Sequence, residues 1–421
     1  MDTRKIKLIL LADFRSPVLS GGHRRWFEFL KRGASEGIDY IVVGSPQNYK
    51  NAIKMFPDYM ETLSNYTAYV TDFKEGQSSI PGLKQVFSYG NIFRSALSLS
   101  KIAVDEDADL IVGGEEPQSL LAIYLAGKLC SKPWTAVFQP FSDLLKPSSS
   151  MGSLNAFNIL KFVGEKSAKN LSLISRIGIA AQLFAQLRVS QKSLMLSVSP
   201  SVVEELHFLN PKIKFHVITP GNGIDLEKFA AKSDINQKYD AIFFARLVPE
   251  KGLYDLPVIW KYVTERVPKA VLGVAGITEN ERHVNRFLDM VSRFHLGRNI
   301  IFLGKLEENA LISSIQSAKL TLYPSLLDAF PLVPLESLAC GTPVVAYDIA
   351  AIIHNFGKCD ALVRCPIKDK KLMAEKALSV IENAKLRRAL SRKAKEYSNK
   401  YDWKNVVRAE KEGYFKVIEY Q

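Results

Sequence analysis

Short apolar runs alternate with amphipathic segments along the chain, a pattern typical of parallel α/β sheets. Six runs in the first half predict buried strands at residues 6–14, 39–45, 109–114, 134–139, 194–199 and 215–219. Five more runs in the second half lie at residues 239–245, 270–276, 299–304, 319–325 and 342–348. Between the first two strands, Trp26, Phe27 and Leu30 recur at helical spacing, and Gly33 or Gly37 can end that helix. The pattern predicts an α/β protein whose two halves share one architecture.

A cluster of Gly, Pro and Asn at residues 220–229 separates the two sets of strands and marks a domain junction. The chain has 421 residues, which is too long for one ordinary core and fits two α/β domains. Residues 141–196 differ from their surroundings, because a Ser- and Pro-rich start leads into basic helical sequence with interleaved phenylalanines. Two interpretations of this segment stay open. It is either a helical cover for the sheet with a solvated basic face, or a surface that faces a membrane or an acceptor.

The chain carries 56 Lys and Arg against 43 Asp and Glu, a formal net charge of +13. This excess favours anionic partners such as nucleotide phosphates or lipid head groups. The basic residues are spread over several helices and form no nucleic-acid-binding motif, so we do not expect a nucleic-acid partner.

Cysteine usage and the N-terminal sequence indicate the compartment. The four cysteines have neither disulfide nor metal-ligand spacing, which predicts a reducing compartment. The first apolar run contains Lys7 and stops at Asp13, so it predicts a first strand rather than a signal peptide. No apolar stretch is long enough to span a bilayer. We expect a cytoplasmic protein, with a peripheral position on the cytoplasmic face of a membrane as a further option.

The most informative segment is residues 323–348, where the carboxylates of Asp328 and Glu336 flank a loop between two predicted strands. Residues 326–333 form the predicted loop, and Pro334 is expected to open a short helix that places Glu336 in its first turn. Leu335, Leu338 and Ala339 should face the core, Gly341 should cap the helix, and Pro343 bars its continuation.

A carboxylate at the end of a parallel strand can accept hydrogen bonds from ribose hydroxyls, and a helix N-terminus suits a pyrophosphate. Asp328, in the loop, can accept hydrogen bonds from sugar hydroxyls. Taken singly, each acid also has an ordinary explanation: Glu336 can complement the helix dipole, and Asp328 can be a surface loop residue.

This segment resembles the paired-glutamate segment of retaining GT-B glycosyltransferases, in particular those of family 4. The matching positions are Tyr323, Pro324, Ser325, Phe330, Leu335, Glu336, Gly341, Pro343, Val344 and Val345. Three positions depart from the family pattern: Asp328 replaces the first Glu, Ala329 replaces the following Gly, and Pro331 replaces a second Gly. The departures would reshape the sugar end of the site and leave the Glu336 end intact.

Other segments resemble the same family in the same order. Arg246 and Lys251, in a turn closed by Gly252, match the pair of cations that neutralises the leaving diphosphate. Gly276 matches a glycine at a strand end near the donor. The resemblance implies donor contacts from Gly21, Gly22, Gly276, Arg246, Lys251, Asp328, Phe330, Leu332 and Glu336, with catalytic roles for Arg246, Lys251 and Asp328.

The first half carries weaker candidates. Gly21 and Gly22 follow the first strand and resemble the glycine loop near the donor phosphates. A His that many family members carry after a later strand is replaced by Gln139, which can hydrogen-bond a sugar but cannot act as acid or base. Glu116 is a further candidate for contact with the acceptor or sugar, and a surface glutamate is the ordinary alternative.

The resemblance implies a GT-B architecture of two Rossmann-like domains facing a central cleft. Residues 1–217 would bind the acceptor and residues 218–404 the nucleotide-sugar, and a helix at about 405–421 would cross back to the first domain. The implied reaction moves a hexose-type sugar, with retention, from a UDP- or GDP-sugar to a glycan or lipid-linked acceptor. Neither a cofactor nor a catalytic metal is expected, and an anionic membrane surface is a further candidate partner.

Two rival interpretations remain. One is a non-catalytic GT-B homologue that binds a nucleotide-sugar or supports a partner enzyme, which Asp328 and Gln139 keep open. The other is a different GT-B enzyme, such as a UDP-sugar 2-epimerase or a phosphorylase. The segment around Glu336 argues against the second.

Overall fold

The chain divides into two compact units. A computed structural model describes residues 4–11, 21–70, 83–139, 173–230, 236–278 and 280–421. Unit 1 comprises Met1–Asn222 and Trp403–Gln421, and unit 2 comprises Gly223–Asp402. The domain limits expected from the sequence, after residues 217 and 404, differ from these by five and two residues. Much of the predicted basic segment, residues 140–172, lies outside the described residues.

A seven-stranded parallel sheet forms the centre of unit 1, in the order β3-β2-β1-β4-β5-β6-β7. Its strands are β1 Ile6–Leu11, β2 Ile38–Gly44, β3 Thr67–Val70, β4 Leu110–Gly114, β5 Trp134–Phe138, β6 Leu194–Ser197 and β7 Lys214–Val217. The register aligns Ile6 with Ile38 and continues to Leu11 beside Val43. The side chains of β4 and β5 are buried throughout, which explains their largely apolar sequences.

Helices cover both faces of this sheet. They are α1 Gly21–Gly33, α2 Pro46–Met55, α3 Tyr59–Leu63, α4 Leu83–Asp105, α5 Pro117–Cys130, α6 Leu173–Ser190, α7 Pro200–Leu209 and the C-terminal helix α16, Trp403–Tyr420. A short 3₁₀ helix, Ala34–Glu36, follows α1. Because the chain steps one way along the sheet from β1 to β2 and the other way from β4 to β5, right-handed connections place α1 and α5 on opposite faces.

A buried ion pair joins α1 to α16. Arg25 is fully buried, its guanidinium contacts the carboxylate of Glu410, and its Nε donates to the carbonyl oxygen of Gly221 at 3.0 Å. The hydroxyl of Tyr414 donates to the other oxygen of Glu410. The guanidinium also lies over the ring of Phe29, 4.4 Å from its centroid. The C-terminal helix is therefore held in unit 1 by charge as well as by apolar packing.

Unit 2 is built on a six-stranded parallel sheet in the order β10-β9-β8-β11-β12-β13. The strands are β8 Ala241–Phe244, β9 Leu272–Ala275, β10 Ile300–Gly304, β11 Thr321–Tyr323, β12 Val344–Tyr347 and β13 Leu362–Cys365. The helices are α8 Leu226–Phe229, α9 Leu256–Arg266, α10 Glu281–Arg293, α11 Glu308–Gln316, α12 Leu332–Ala339, α13 Ala350–Phe356, α14 Lys370–Glu382 and α15 Ala384–Ser398, with 3₁₀ turns at Pro249–Lys251 and Asn399–Tyr401. The two parallel sheets with their helical layers confirm the predicted α/β class.

All the strands expected from apolar runs are present. Two further strands, β3 and β13, were not predicted, and each lies at the edge of its sheet. Among the described residues, no helix is both long enough and apolar enough to cross a membrane.

Removing one partner of the buried pair should destabilise unit 1 strongly. We expect Glu410→Ala to lower the free energy of unfolding by about 3–5 kcal/mol, because the Arg25 charge would remain buried without its counter-ion. Urea unfolding followed by tryptophan fluorescence measures this, since unit 1 contains Trp26, Trp134 and Trp403.

The matched control is Glu419→Ala on the same helix. Glu419 pairs with Arg4 across 3.8 Å at an exposed position, so its removal should cost less than about 1 kcal/mol. Equal effects of the two substitutions would contradict a special role for the buried pair.

Candidate functional site

The segment from β11 to β12 contains the two predicted carboxylates. After β11 ends at Tyr323, a loop leads into α12, which begins at Leu332 rather than at Pro334. The predicted helix start was therefore wrong by two residues, and Glu336 lies in the second turn. Pro334 is tolerated inside the helix because the first backbone N–H groups of a helix have no acceptor within it.

The C-terminal end of α12 is fixed by backbone geometry. Gly341 adopts a left-handed conformation with φ of 75°, as the predicted cap requires. Its N–H donates to the carbonyl of Leu338, and the N–H of Thr342 donates to that of Ser337, both at 2.9 Å. The hydroxyl of Ser337 also hydrogen-bonds the hydroxyl of Thr321 at 2.6 Å, which ties the helix to β11. Leu335, Leu338 and Ala339 are buried, as predicted.

A close backbone approach joins the Lys251 turn to the end of β11. Gly252 has φ of 79°, and a Cβ atom placed there would lie 2.1 Å from the carbonyl oxygen of Pro324. The N–H of Leu326 donates to the carbonyl of Glu250 at 2.8 Å. Only glycine permits this approach, so the sequence at position 252 determines where the Lys251 side chain begins.

Lys251 and Asp328 meet directly. The Lys251 Nζ atom lies 2.7 Å from Asp328 Oδ2 and donates to the carbonyl of Leu327 at 3.0 Å. The hydroxyl of Tyr323 donates to the same carboxylate oxygen, and the N–H of Ala329 donates to the other at 2.9 Å. The carboxylate of Asp328 is thus held by one cation and two neutral donors.

Tyr323 is a further member of the site, and the sequence predicted no role for its side chain. Burial and the neighbouring Asp328 carboxylate raise the pKa of Tyr323 well above its usual range, so its hydroxyl remains a donor at neutral pH. The signal in the sequence was a tyrosine at a strand end, five residues before an acid, which is too common a pattern to identify a hydrogen bond.

The other predicted donor residues of unit 2 lie at the same edge of the sheet. Arg246 follows β8, Gly276 follows β9, and Asp328 follows β11, and neighbouring parallel strands end at one edge. The Arg246 side chain is exposed and makes no hydrogen bond or ion pair with another described residue. It is therefore a cation available to a ligand.

Gly276 is explained by packing without a ligand. A Cβ atom at this position would lie 1.9 Å from the carbonyl oxygen of Ala245, and the Gly276 N–H donates to the carbonyl of Gly304 at 2.8 Å. The glycine allows β8, β9 and β10 to end close together.

Phe330 does not present its ring to a ligand. The ring is buried and lies 6.0 Å from the ring of Phe356 and 6.1 Å from that of Tyr401, measured between centroids. Any donor contact from Phe330 therefore has to come from its backbone. Leu332, the first residue of α12, is half-buried.

Of the candidates in unit 1, Gln139 and Glu116 follow strands, whereas the two glycines lie in a helix. Gly21 and Gly22 are the first residues of α1 rather than a loop before it. A Cβ atom on Gly22 would lie 2.8 Å from the side-chain oxygen of Gln139, which follows β5 and is buried. Gly22 and Gln139 are thus in contact, whereas Glu116 occupies the N-cap position of α5, after β4.

Within the described ranges, no group of three or more His, Cys, Asp or Glu side chains is arranged to hold a metal ion. Among the predicted site residues of unit 2, the structure brings Lys251 and Asp328 into contact, and Glu336 is half-buried in α12.

Part of the chain is similar to a known protein family. Residues 225–397, nearly all of unit 2, match the family model of glycosyl transferases group 1. The glycogen synthase of Mycobacterium tuberculosis is 24% identical over 224 residues, which cover 52% of this chain and 53% of that protein. The match thus spans about half the length of this relative. The phosphatidyl-myo-inositol mannosyltransferase of Mycolicibacterium smegmatis is 24% identical over 276 residues, which cover 60% of this chain and 69% of that protein.

The structural similarity to known proteins covers more of the chain than the sequence similarity does. The crystal structure of HepE from Anabaena in complex with UDP and glucose is similar with a TM-score of 0.67 at 14% identity, covering 98% of this chain and 100% of that one. Residues 225–397 match the model of the glycosyl transferases group 1 family, and the chain has the fold of GT-B glycosyltransferases.

Proposed function

We propose that this protein is a glycosyltransferase that moves a hexose-type sugar from a nucleotide-diphosphate-sugar to a glycan or lipid-linked acceptor. The observation that carries the proposal is the juxtaposition of Lys251 with Asp328 at the strand ends of unit 2, inside the part of the chain that matches the family. The names of the relatives, which include a glycogen synthase and a lipid mannosyltransferase, support glycosyl transfer. HepE, a structural neighbour, was crystallised with UDP, which supports a nucleotide-sugar donor.

In this proposal Arg246 and Lys251 bind the diphosphate of the donor. Arg246 is exposed, and the Lys251 ammonium lies at the same edge of the sheet, so two positive charges can neutralise the leaving group. Gly276 contributes by keeping the neighbouring strand end free of side-chain atoms. The protein supplies this charge through its own side chains, and we propose that no bound catalytic metal takes part.

Glu336 and α12 would hold the nucleoside. The carboxylate of Glu336 can accept hydrogen bonds from the ribose hydroxyls, and the first N–H groups of α12, near Leu332, can donate to the phosphates. Phe330 would contact the donor through its backbone.

Asp328 has two roles in this scheme. It orients Lys251 before the donor binds, and it offers its remaining lone pairs to a hydroxyl of the transferred sugar. When the diphosphate binds, it shares the Lys251 ammonium with Asp328.

The proposed reaction retains the configuration of the anomeric carbon. The acceptor hydroxyl attacks from the face that the diphosphate leaves, and a donor phosphate oxygen takes the proton of that hydroxyl. Such a step needs no protein base, which agrees with the presence of Gln139 where related enzymes have His. From unit 1 we assign donor contacts to Gly21 and Gly22, and acceptor or sugar contacts to Glu116 and Gln139.

A screen of donors tests the proposal. A ligand that binds the native state raises the apparent unfolding temperature, so UDP-, GDP- and ADP-sugars can be compared by thermal shift. We expect stabilisation by UDP- or GDP-sugars at micromolar to millimolar concentrations. If none of the nucleotide-sugars stabilises the protein, the proposal is wrong.

Substitutions at the site separate an enzyme from a non-catalytic homologue. Lys251→Met should lower kcat/KM by about 10²- to 10³-fold, because it removes a charge that stabilises the leaving diphosphate. Glu336→Gln should raise the KM for the donor by about 10- to 100-fold, since it removes a charged acceptor of the ribose hydrogen bonds.

The matched control is Lys269→Met, at an exposed position of unit 2 outside the site. Its kinetics should equal those of the unmodified protein. The protein should also be supplied with a range of glycan and lipid-linked acceptors. If it binds the donor but neither transfers the sugar nor hydrolyses the donor, the non-catalytic homologue is favoured.

The backbone approach at Gly252 predicts a structural requirement. Gly252→Ala should cost about 1–3 kcal/mol of unfolding free energy, because it combines an unfavourable φ with a clash against Pro324. It should also weaken donor stabilisation in the thermal-shift screen, because Lys251 would move with the turn.

Gly297→Ala provides the control for Gly252→Ala. Position 297 is exposed, and a Cβ atom there would meet nothing within 4 Å. This substitution should change stability by less than about 0.5 kcal/mol. A Gly252→Ala protein as stable as the Gly297→Ala protein would show that the close approach is not required.

A further inference from the structure

Three helices of unit 1 are unusual in their charge. Across α4, α5 and α6 the only acidic residue is Asp105, the last residue of α4. The same helices carry six basic residues: Lys84, Arg94, Lys101, Lys128, Arg176 and Arg188. In the chain as a whole, 43 of 421 residues are Asp or Glu, so helices of these lengths would ordinarily contain several acids. Surface helices of soluble proteins usually mix both signs of charge.

These helices lie side by side on one face of the unit 1 sheet. The connections from β3 to β4, from β4 to β5 and from β5 to β6 all step in the same direction along the sheet. Right-handed crossovers therefore place α4, α5 and α6 on the same face. The structure confirms their contacts, with α5 packed against α4 on one side and against α6 on the other.

The outer surface of this layer, which we call the basic-apolar face, exposes large apolar side chains. On α4, Phe93, Leu97 and Val104 are 52%, 46% and 59% exposed, and their spacing of four and seven residues places them in one stripe. Leu129 on α5 and Ile177 on α6 are about half exposed. The opposite side of α4 packs inwards through residues such as Ala96, Leu99 and Ala103, so α4 is apolar on both sides.

Basic side chains are interleaved with this apolar surface. Arg94 and Lys101 are exposed on α4, and Lys128 is exposed on α5 beside Leu129. The face has a boundary: the next helix on this side, α7, carries Glu204 and Glu205. The unbalanced positive charge thus coincides with the apolar stripe instead of extending over the whole unit.

We propose that the basic-apolar face binds the surface of a lipid bilayer that contains anionic phospholipids. Apolar side chains of this kind insert into the boundary between head groups and acyl chains, and neighbouring Lys and Arg bind lipid phosphates. Because Asp105 is the only acidic residue on the three helices, an anionic surface meets little repulsion from them. In this proposal the protein lies on the surface of the bilayer.

This proposal does not rest on sugar transfer, and its test contains no sugar. The protein is mixed at low ionic strength with phosphatidylcholine vesicles containing about 30 mol% phosphatidylglycerol, and bound protein is separated by sedimentation. We expect binding to these vesicles and none to vesicles of pure phosphatidylcholine. A salt concentration of about 0.5 M should weaken the binding, because it screens the charges.

Two triple variants distinguish binding by the basic-apolar face from attraction by the net charge of the whole protein. The face variant is Arg94→Glu, Lys101→Glu and Lys128→Glu. The control is Lys371→Glu, Lys385→Glu and Arg392→Glu, at exposed positions on helices of unit 2. Each triple changes the formal charge by the same amount. The face variant should lose at least about tenfold in vesicle affinity, whereas the control should stay within about threefold of the unmodified protein.

Two serine substitutions and a dye on Cys130 test the apolar side chains of the basic-apolar face. Leu97→Ser with Val104→Ser should reduce the binding that survives high salt. Cys130, on α5 next to Leu129, is partly exposed while the other three cysteines are buried, so a polarity-sensitive thiol dye attaches there selectively. Its emission should shift to shorter wavelength on adding anionic vesicles.

Three results would overturn the proposal: no sedimentation of the unmodified protein with anionic vesicles, equal loss of binding in both charge variants, or vesicle binding that leaves the Cys130 dye unchanged. The first result would fit a face that binds an acidic protein instead of a membrane. The unfolding transition of each variant is measured as well. A transition equal to that of the unmodified protein shows that a loss of binding does not reflect misfolding.

Discussion

The backbone contact between Gly252 and Pro324 brings a cation-bearing turn against a carboxylate-bearing loop, and the arrangement of the site in unit 2 depends on it. Without a Cβ atom at position 252, the turn can approach the end of β11 until Glu250 and Leu326 share a backbone hydrogen bond. The Lys251 side chain then starts within reach of Asp328. The charges of the site are thus positioned by backbone atoms.

The same principle acts at the neighbouring strand ends. Gly276 lets the backbone of β9 pass close to Ala245, and Gly341 lets α12 end in a tight cap that returns the chain to β12. Glu336 gains a fixed position from that cap and from the hydrogen bond between Ser337 and Thr321. Glycines therefore serve the site through the strands and helices that they allow to approach one another.

Much of the fold could be predicted from the sequence, because strands buried on both faces have uninterrupted apolar runs. The two unpredicted strands are edge strands: β3 is largely exposed, and β13 contains the exposed Arg364, so neither has such a run. The start of α12 was misplaced because proline is tolerated throughout a first helical turn, not only at its first position. The residue types of the proposed donor site followed from the family resemblance. The α/β class and the GT-B fold are confirmed, and residues 225–397 match the model of glycosyl transferases group 1.

The contacts between side chains could not be predicted in this way. Phe330 matched the family pattern, yet its burial depends on Phe356 and Tyr401, which are distant in sequence. Arg25 lies near the start of α1, and only the return of the C-terminal helix to unit 1 gives it Glu410 as a buried partner. The surface character of α4 depends on which of its two apolar sides faces the sheet, which the spacing alone does not decide.

The pairing of Lys251 with Asp328 has a consequence for how the protein behaves among the many anions of a cell. An unoccupied pocket with bare cations would collect inorganic phosphate, sulfate and free nucleotides. Here one of the two cations already has an internal counter-ion, held in place by Tyr323. A small anion gains little by displacing it, whereas a ligand that also engages the rest of the site can share the cation. In the proposed scheme, the Asp328 carboxylate makes the site selective against small anions that would engage Lys251 alone.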